Sequence, residues 1–299
     1  MVGSHFENNR ASNGGAIGAI HCSPDVYNST FIDNLAEGIG GNEAGHTGCP
    51  GVGHEGQGGA GGLGGALYAD GPEVDARETV LCGNRFVRNR ANTLAGVIFR
   101  TPNRGVATGY RMRIDRCDFE DNSSALGGVS FIKDNVVTVR GSTFRGNRAG
   151  RRNDGSSVSG RFGGLWVNNG SFDVENSTFY DNLPLGLTVE SGSAQVRNAT
   201  LVGSPWNGNV TVRNGLIVNV SCDGAANGGS SVQWPSGSAC VNGAMFRDPG
   251  LGELGMHGGP TPTLVPSNAE GLAVGSDCPE RDQRGAVRSG CVVGAVDPG

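Results

Sequence analysis

Any chemistry in this chain would have to come from its arginines and paired acids. Residues 85–161 hold fifteen basic side chains against six acidic ones. Residues 1–84 hold ten acids and two arginines, and residues 162–299 twelve acids and six arginines. The net charge of −5 hides this asymmetry, and Lys133 is the only lysine, so the basic third is an arginine field. A guanidinium keeps its proton and forks onto carboxylate, sulfate or phosphate, and such a field attracts an anionic polymer. Arg100, Arg104, Arg111, Arg113 and Lys133 are therefore candidate ligands for the carboxylates of an acidic glycan. The competing expectation is a solvated surface on which these cations pair with neighbouring acids.

Glycoside hydrolysis needs two carboxyls roughly 5–10 Å apart. Asp118 and Glu120, like Asp173 and Glu175, stand two residues apart in short alternating runs, which places each pair on one face of a strand. Solvated outer-face acids would look the same. The segment GNEAGHTGCPGVGHEGQGGAGG (41–62) carries Glu43, His46, Cys49, His54 and Glu55, types that bind zinc or copper. Their spacing matches no metal module, so a glycine-rich loop is expected there and no metal. No cofactor is expected, unless calcium is held by Asp33, Asp121, Asp154 and Asp181. The first, second and fourth of these belong to a repeated corner motif described below.

The eight cysteines are Cys22, Cys49, Cys82, Cys117, Cys222, Cys240, Cys278 and Cys291. No C-x-x-C occurs, which argues against zinc ribbons and thioredoxin-like sites. An even count without metal spacing favours disulfides and an oxidising compartment. The expected pairs are sequential: Cys222–Cys240, Cys278–Cys291, Cys22–Cys49 and Cys82–Cys117. Free buried thiols are the alternative.

The elements that must position these groups repeat. An aromatic followed three residues later by asparagine recurs as Phe6/Asn9, Phe31/Asn34, Phe86/Asn89, Phe119/Asn122, Phe144/Asn147 and Phe179/Asn182. The phenylalanine steps are 25, 55, 33, 25 and 35 residues, so the shortest period is near 25. Gly14-Gly15-Ala16-Ile17, Gly64-Gly65-Ala66-Leu67, Gly127-Gly128-Val129-Ser130 and Gly163-Gly164-Leu165-Trp166 form a second marker, with Ala95-Gly96-Val97-Ile98 a weaker copy. Short alternating runs such as Val136–Arg140 and Ser171–Glu175 precede the aromatic. Self-similarity at such a period marks a repeat architecture, and the runs are strand-like, divided by Gly, Asn, Asp and Ser. A unit this short buries a core only by stacking on its neighbours. The expected fold is all-β, a right-handed parallel β-helix.

In that reading the aromatic points inward, and the asparagine sits at a corner, tolerates a left-handed backbone and joins a ladder. The double glycine makes a tight bend. Residues 1–202 are regular coils with an insertion over about 38–62. Residues 203–247 are degenerate coils, and residues 248–299 a non-repetitive tail packing on or capping the solenoid. The 54 glycines follow no three-residue period, which excludes collagen, and no apolar run approaches the length of a membrane helix. The chain opens in mid-repeat and without a signal peptide; an upstream region of the same polypeptide and an export signal outside this sequence are expected. Sequons at Asn28, Asn122, Asn169, Asn176, Asn198, Asn209 and Asn219 are read as structural.

The F-x-x-N and G-G-A-[ILV] signatures over residues 6–182 resemble the repeats of polymorphic outer-membrane-protein β-helices, bacterial surface passenger domains. The tail (258–299) is similar to the end of bacterial extracellular proteins of the choice-of-anchor Q type. It carries their glycine-glycine-proline-threonine stretch, Asp282-Gln283-Arg284-Gly285 and Gly294-Ala295-Val296-Asp297; Val292-Val293 stands where an Asp-Ile is usual. FRTPNRG (99–105) is similar to the Arg-x-Pro-x-x-Arg segment of pectate lyases, one residue short. The resemblance implies an exported bacterial protein, extracellular or at the cell surface. The leading expectation is a non-catalytic scaffold that binds polysaccharide or a cell-surface component, not nucleic acid. The second is a polysaccharide lyase or glycoside hydrolase working on an acidic glycan along the arginine-rich face.

Overall fold

The structure is a computed structural model that describes residues 1–38, 61–71, 78–102 and 110–299. Among these residues there is no helix. Short strands stack into four parallel sheets of ten, five, seven and eight strands, and the chain visits them in turn. The first coil shows the plan. His5–Glu7 opens the aromatic sheet, Arg10–Ala11 a two-residue sheet, Ile17–Ile20 a glycine-led sheet and Val26–Tyr27 an alternating sheet. Thr30–Ile32 then pairs in parallel onto His5–Glu7. The molecule is a parallel β-helix.

Register runs residue on residue: Phe6 faces Phe31, Phe31 faces Phe86, Phe86 faces Phe119, Phe119 faces Phe144 and Phe144 faces Phe179. The rings point inward and stack with centroids 4.7–4.9 Å apart. Apart from Phe6 in the first coil, they are buried. Burying each ring contributes roughly 2–3 kcal/mol, and each stacked contact about 0.5–1.5 kcal/mol more. After Phe179 the same position is filled by Leu201 and then Ile217, so the column outlasts its aromatic signature.

Beside the rings runs the asparagine ladder. The side-chain amide of Asn89 donates to Oδ1 of Asn122 (3.0 Å) and to the carbonyl of Phe31 (3.0 Å), while the Asn89 backbone N–H donates to the same Oδ1 (2.9 Å). Asn34, Asn122 and Asn147 repeat this pattern, and Asn182 ends the ladder on Ser204 Oγ. From Asn34 to Asn147 each side chain thus uses both donors and both lone pairs of its amide, which is how a fully buried polar group is kept without cost.

Asn9 joins the ladder, donating to Asn34 Oδ1 through its amide (2.8 Å) and its backbone N–H (3.1 Å), but it is exposed, whereas Asn34, Asn89, Asn122, Asn147 and Asn182 are fully buried. It lies in the first described coil, so no described coil covers its outer side, and Phe6 is only half-buried for the same reason. One expectation for this row needs correction, and it concerns the backbone. The left-handed residue is not the asparagine, as the sequence suggests, but the one before it. Asn8, Asp33, Arg88, Asp121, Gly146 and Asp181 have φ of +51° to +65°. The asparagine must stay extended to aim its amide along the column.

The second glycine of each pair is fixed by close approach. A Cβ on Gly15, Gly65, Gly96 or Gly128 would lie 2.0–2.2 Å from the carbonyl oxygen of the glycine one coil on. Ala95 supplies the preceding left-handed turn at φ +62°, which explains why Ala95-Gly96 works as a copy. The sequon asparagines Asn28, Asn169, Asn176, Asn198 and Asn219 likewise occupy left-handed corners, at φ +46° to +54°.

Disulfides join Cys222–Cys240 and Cys278–Cys291. Cys82 and Cys117 do not pair; both are free thiols, as is Cys22, and Cys49 lies outside the described residues. The reason is the coil. Cys82 stacks on Asp115, so Cys117 sits two positions further on, inside, in a row with Asn84 and Ser142. Burial pushes the Cys117 thiol up to about 12. Cys117 is therefore expected to resist a thiol reagent in the native protein and to react only on unfolding, while exposed Cys22 reacts at once; mass spectrometry of labelled peptides reads this.

Replacing Asn122 by alanine strands two donors on Asn89 and the carbonyl of Phe86, at roughly 3 kcal/mol or more. The same change at exposed Asn9 should cost well under 1 kcal/mol. Asn122→Asp keeps the shape but removes the donors and buries a charge. Its loss of stability in urea should be at least as large at neutral pH and should shrink as the pH falls and the buried carboxyl regains its proton.

Candidate ligand-binding faces

On the aromatic sheet the residues flanking each phenylalanine point outward, since side chains alternate along a strand. In the middle coils Arg85, Asp118, Glu120 and Arg145 among them are charged. Asp118 Oδ2 lies 3.1 Å from Arg145 and 3.7 Å from Arg85; Glu120 lies 2.7 Å from Arg145 and 2.9 Å from Arg85. Burial raises the Asp118 carboxyl above its usual range, and its bonds to Arg145 offset this only in part. From Thr200–Val202 onward the flanking residues turn apolar: Val202, Leu216, Val218 and Val232. That stretch is covered by the tail, whose Leu272, Val274, Val292 and Val293 pack on it.

Polar bolts hold the tail along the flank. Gln283 accepts from Thr178 Oγ1 (2.6 Å) and donates to Thr143 Oγ1 (2.8 Å) and Thr261 Oγ1 (3.0 Å). Thr143 donates to the Pro262 carbonyl and Thr200 accepts from the Ala295 N–H. Asp282, its carboxylate wholly buried, fixes Arg284 at 2.7 Å and accepts the Arg284 and Asp297 N–H groups. The Asp-Gln-Arg-Gly segment is thus a fastening.

On the alternating sheet the outward rows carry alternating charge. Arg113 reaches Glu78 and Asp115; Arg140 reaches Asp173 at 2.5 Å and Glu175 at 3.5 Å; Arg197 reaches the same two acids at 3.2 Å. At the corners Arg88 pairs with Asp33 (2.7 Å) and Arg148 with Asp181 (2.6 Å). Much of the arginine field is therefore balanced by acids one coil away. The acid pairs 118/120 and 173/175 share a face as expected, but each is held by two arginines.

The five proposed glycan ligands do not form one exposed cluster. Arg100 is fully buried: its strand position points into the column, level with Ala69 and Ile132. Arg113 is engaged as above. Arg111 and Lys133 are exposed and carry no ion pair with a described residue. They flank one corner, because Asn135, two residues after Lys133, pairs with Tyr110. Arg104, and with it residues 103–105 of FRTPNRG, lies outside the described residues, as do Glu43, His46, His54 and Glu55. Asp33, Asp121 and Asp181 do not fit a calcium site. They occupy one corner row interrupted by Arg88 and Gly146, and among the described residues no three His, Cys, Asp or Glu converge on one point.

Sequence reasoning missed the outward aromatic row. Tyr68, Phe99 and Phe131 stack on the outside of the glycine-led sheet and Trp166 meets Phe131 edge to face, all under Leu63, Leu94, Phe162 and Leu185. The signal was present as aromatics one residue after the expected inward position. No family model, curated protein or solved structure matches the chain.

Arg145→Met leaves two nearly buried acids sharing Arg85 alone and should cost about 2–4 kcal/mol. Asp118→Asn should cost less, because burial already opposes the charge. Since the folded carboxyl has the raised pKa, the wild type loses stability as pH rises through the carboxylate range. Asp118→Asn should compare increasingly well with it over that window in thermal melts.

Proposed function

We propose that this β-helix is an exported, non-catalytic surface or matrix scaffold that binds an acidic polysaccharide through its long outer faces. The supporting observation is that these faces are repeated arginine–carboxylate ladders with exposed cations left over: Arg90, Arg111, Lys133 and Arg213 have no ion-pair partner among the described residues. They lie on three of the four sheets: Arg90 on the two-residue sheet, Lys133 on the glycine-led sheet, and Arg111 and Arg213 in separate rows of the alternating sheet, so a glycan would meet them on several outer faces. Two disulfides accord with an oxidising compartment. Bacterial origin and cell-surface location rest on the repeat and tail motifs.

The second reading, a hydrolase, is favoured by one observation. Burial raises the Asp118 carboxyl, which shares a strand face with Glu120, and a carboxyl raised by burial is what a general acid uses. Against it, both carboxylates are locked to Arg85 and Arg145.

Binding to alginate, pectate and glycosaminoglycans, measured by calorimetry, should be weak and should fall at least about tenfold as salt rises toward 1 M. Arg111→Ala and Lys133→Ala should each lose about two- to fivefold. No binding to any of these polymers at low salt overturns the proposal. Release of reducing sugar, abolished in Asp118→Asn, would establish the hydrolase instead.

A further inference from the structure

Arg100 is the buried cation that the coil plan does not explain. Its row in the glycine-led sheet otherwise holds Ala19, Ala69, Ile132, Val167 and Val189. The guanidinium donates through Nε to Asn135 Oδ1 (3.0 Å) and through Nη1 to Thr79 Oγ1 (2.5 Å), and its carbon lies 6.0 Å from the Tyr110 ring centroid. These partners are neutral. Nη2, fully buried, has no hydrogen-bond partner among the described residues. Arg288, also largely buried, leaves its Nε without a partner too, but its Nη atoms reach Asn176 Oδ1 and the carbonyls of Val292, Gly294 and Ala295, and against the cost of burial Asp282 and Asp297 favour its charge.

Burying a charge without a counter-charge is among the costliest things a fold does. Among the described residues, the acids on nearby positions are committed elsewhere. Asp70 accepts from Tyr68 and Thr101, and Asp134 from Asn169. The corner above Arg100 is instead cationic, for Asn135, which holds the guanidinium, also donates to the Lys133 carbonyl and pairs beside Arg111. An orphaned donor under a corner carrying Lys133 and Arg111 is a site for negative charge.

We propose that Arg100 holds a single small monoanion, halide or carboxylate in size, against Nη2 at the Tyr110–Asn135 corner. The anion would supply together the acceptor and the counter-charge that no described residue supplies. This inference stands apart from the proposed function: a scaffold that binds no glycan would still hold its anion.

Crystals of the wild-type protein grown in sodium bromide, with anomalous data, test this directly. A bromide peak at hydrogen-bond distance from Arg100 Nη2 is the expected result, and a water there with no anomalous signal overturns the proposal. In solution, bromide or acetate replacing gluconate at constant ionic strength should raise Tm by at least about 2 °C. Acetate acting more strongly than bromide would assign the site to a carboxylate, and the reverse to a halide. The shift should vanish in Arg100→Met, where a similarly long apolar side chain fills the row; an equal shift in that variant overturns the proposal.

Discussion

Everything in this molecule depends on coils meeting residue for residue, and the buried asparagine amide enforces that register. A parallel strand pair alone tolerates a slip, since backbone groups are identical along it. A primary amide with two donors and two acceptor sites does not. Shifted by one residue, Asn122 would offer Asn89 an apolar wall and leave four hydrogen-bonding positions empty in a dry core. The phenylalanine column then needs to be only apolar and of suitable volume, which is why leucine and isoleucine replace it in later coils.

Once register is fixed, inside and outside follow from alternation. The outside is not uniform. Its middle coils carry charge arranged so that Asp33, Asp118, Glu120, Asp173, Glu175 and Asp181 each meet a guanidinium from a neighbouring coil, and its later coils carry valine, leucine and threonine. The tail settles where the surface is apolar and fastens where threonines line up. Gln283 works because three threonine hydroxyls, two from stacked strands and one from the tail itself, come within reach of one amide.

The repeating core was legible in the sequence because its signals are local: an aromatic, an asparagine three residues on, a double glycine. What the motif alone does not carry is whether a rung has neighbours on both sides, so Asn9 reads like Asn34 yet stands exposed. The surface was not legible, because its partners are one coil apart. Arg88 meets Asp33 across 55 residues and Arg140 meets Asp173 across 33, so a window-based charge count saw an arginine field where the fold builds mixed ladders. Cysteine spacing misled for the same reason. Cys82 and Cys117 are separated by one coil plus two residues, and those two carry Cys117 past the left-handed corner at Arg116 into the buried row. Arg100 was misjudged because its type, not its strand position, was read; the alternation of Ile98, Phe99 and Arg100 places it with Ile98, inside.

The asparagine ladder has the same bonds whether its members are 25, 33, 35 or 55 residues apart. Contour length between signposts is thus decoupled from the lattice they build. Sequence can be added to or deleted from a corner without propagating strain to the next storey, so descendants of this column are free to vary their outward ornament storey by storey while the shaft remains unchanged.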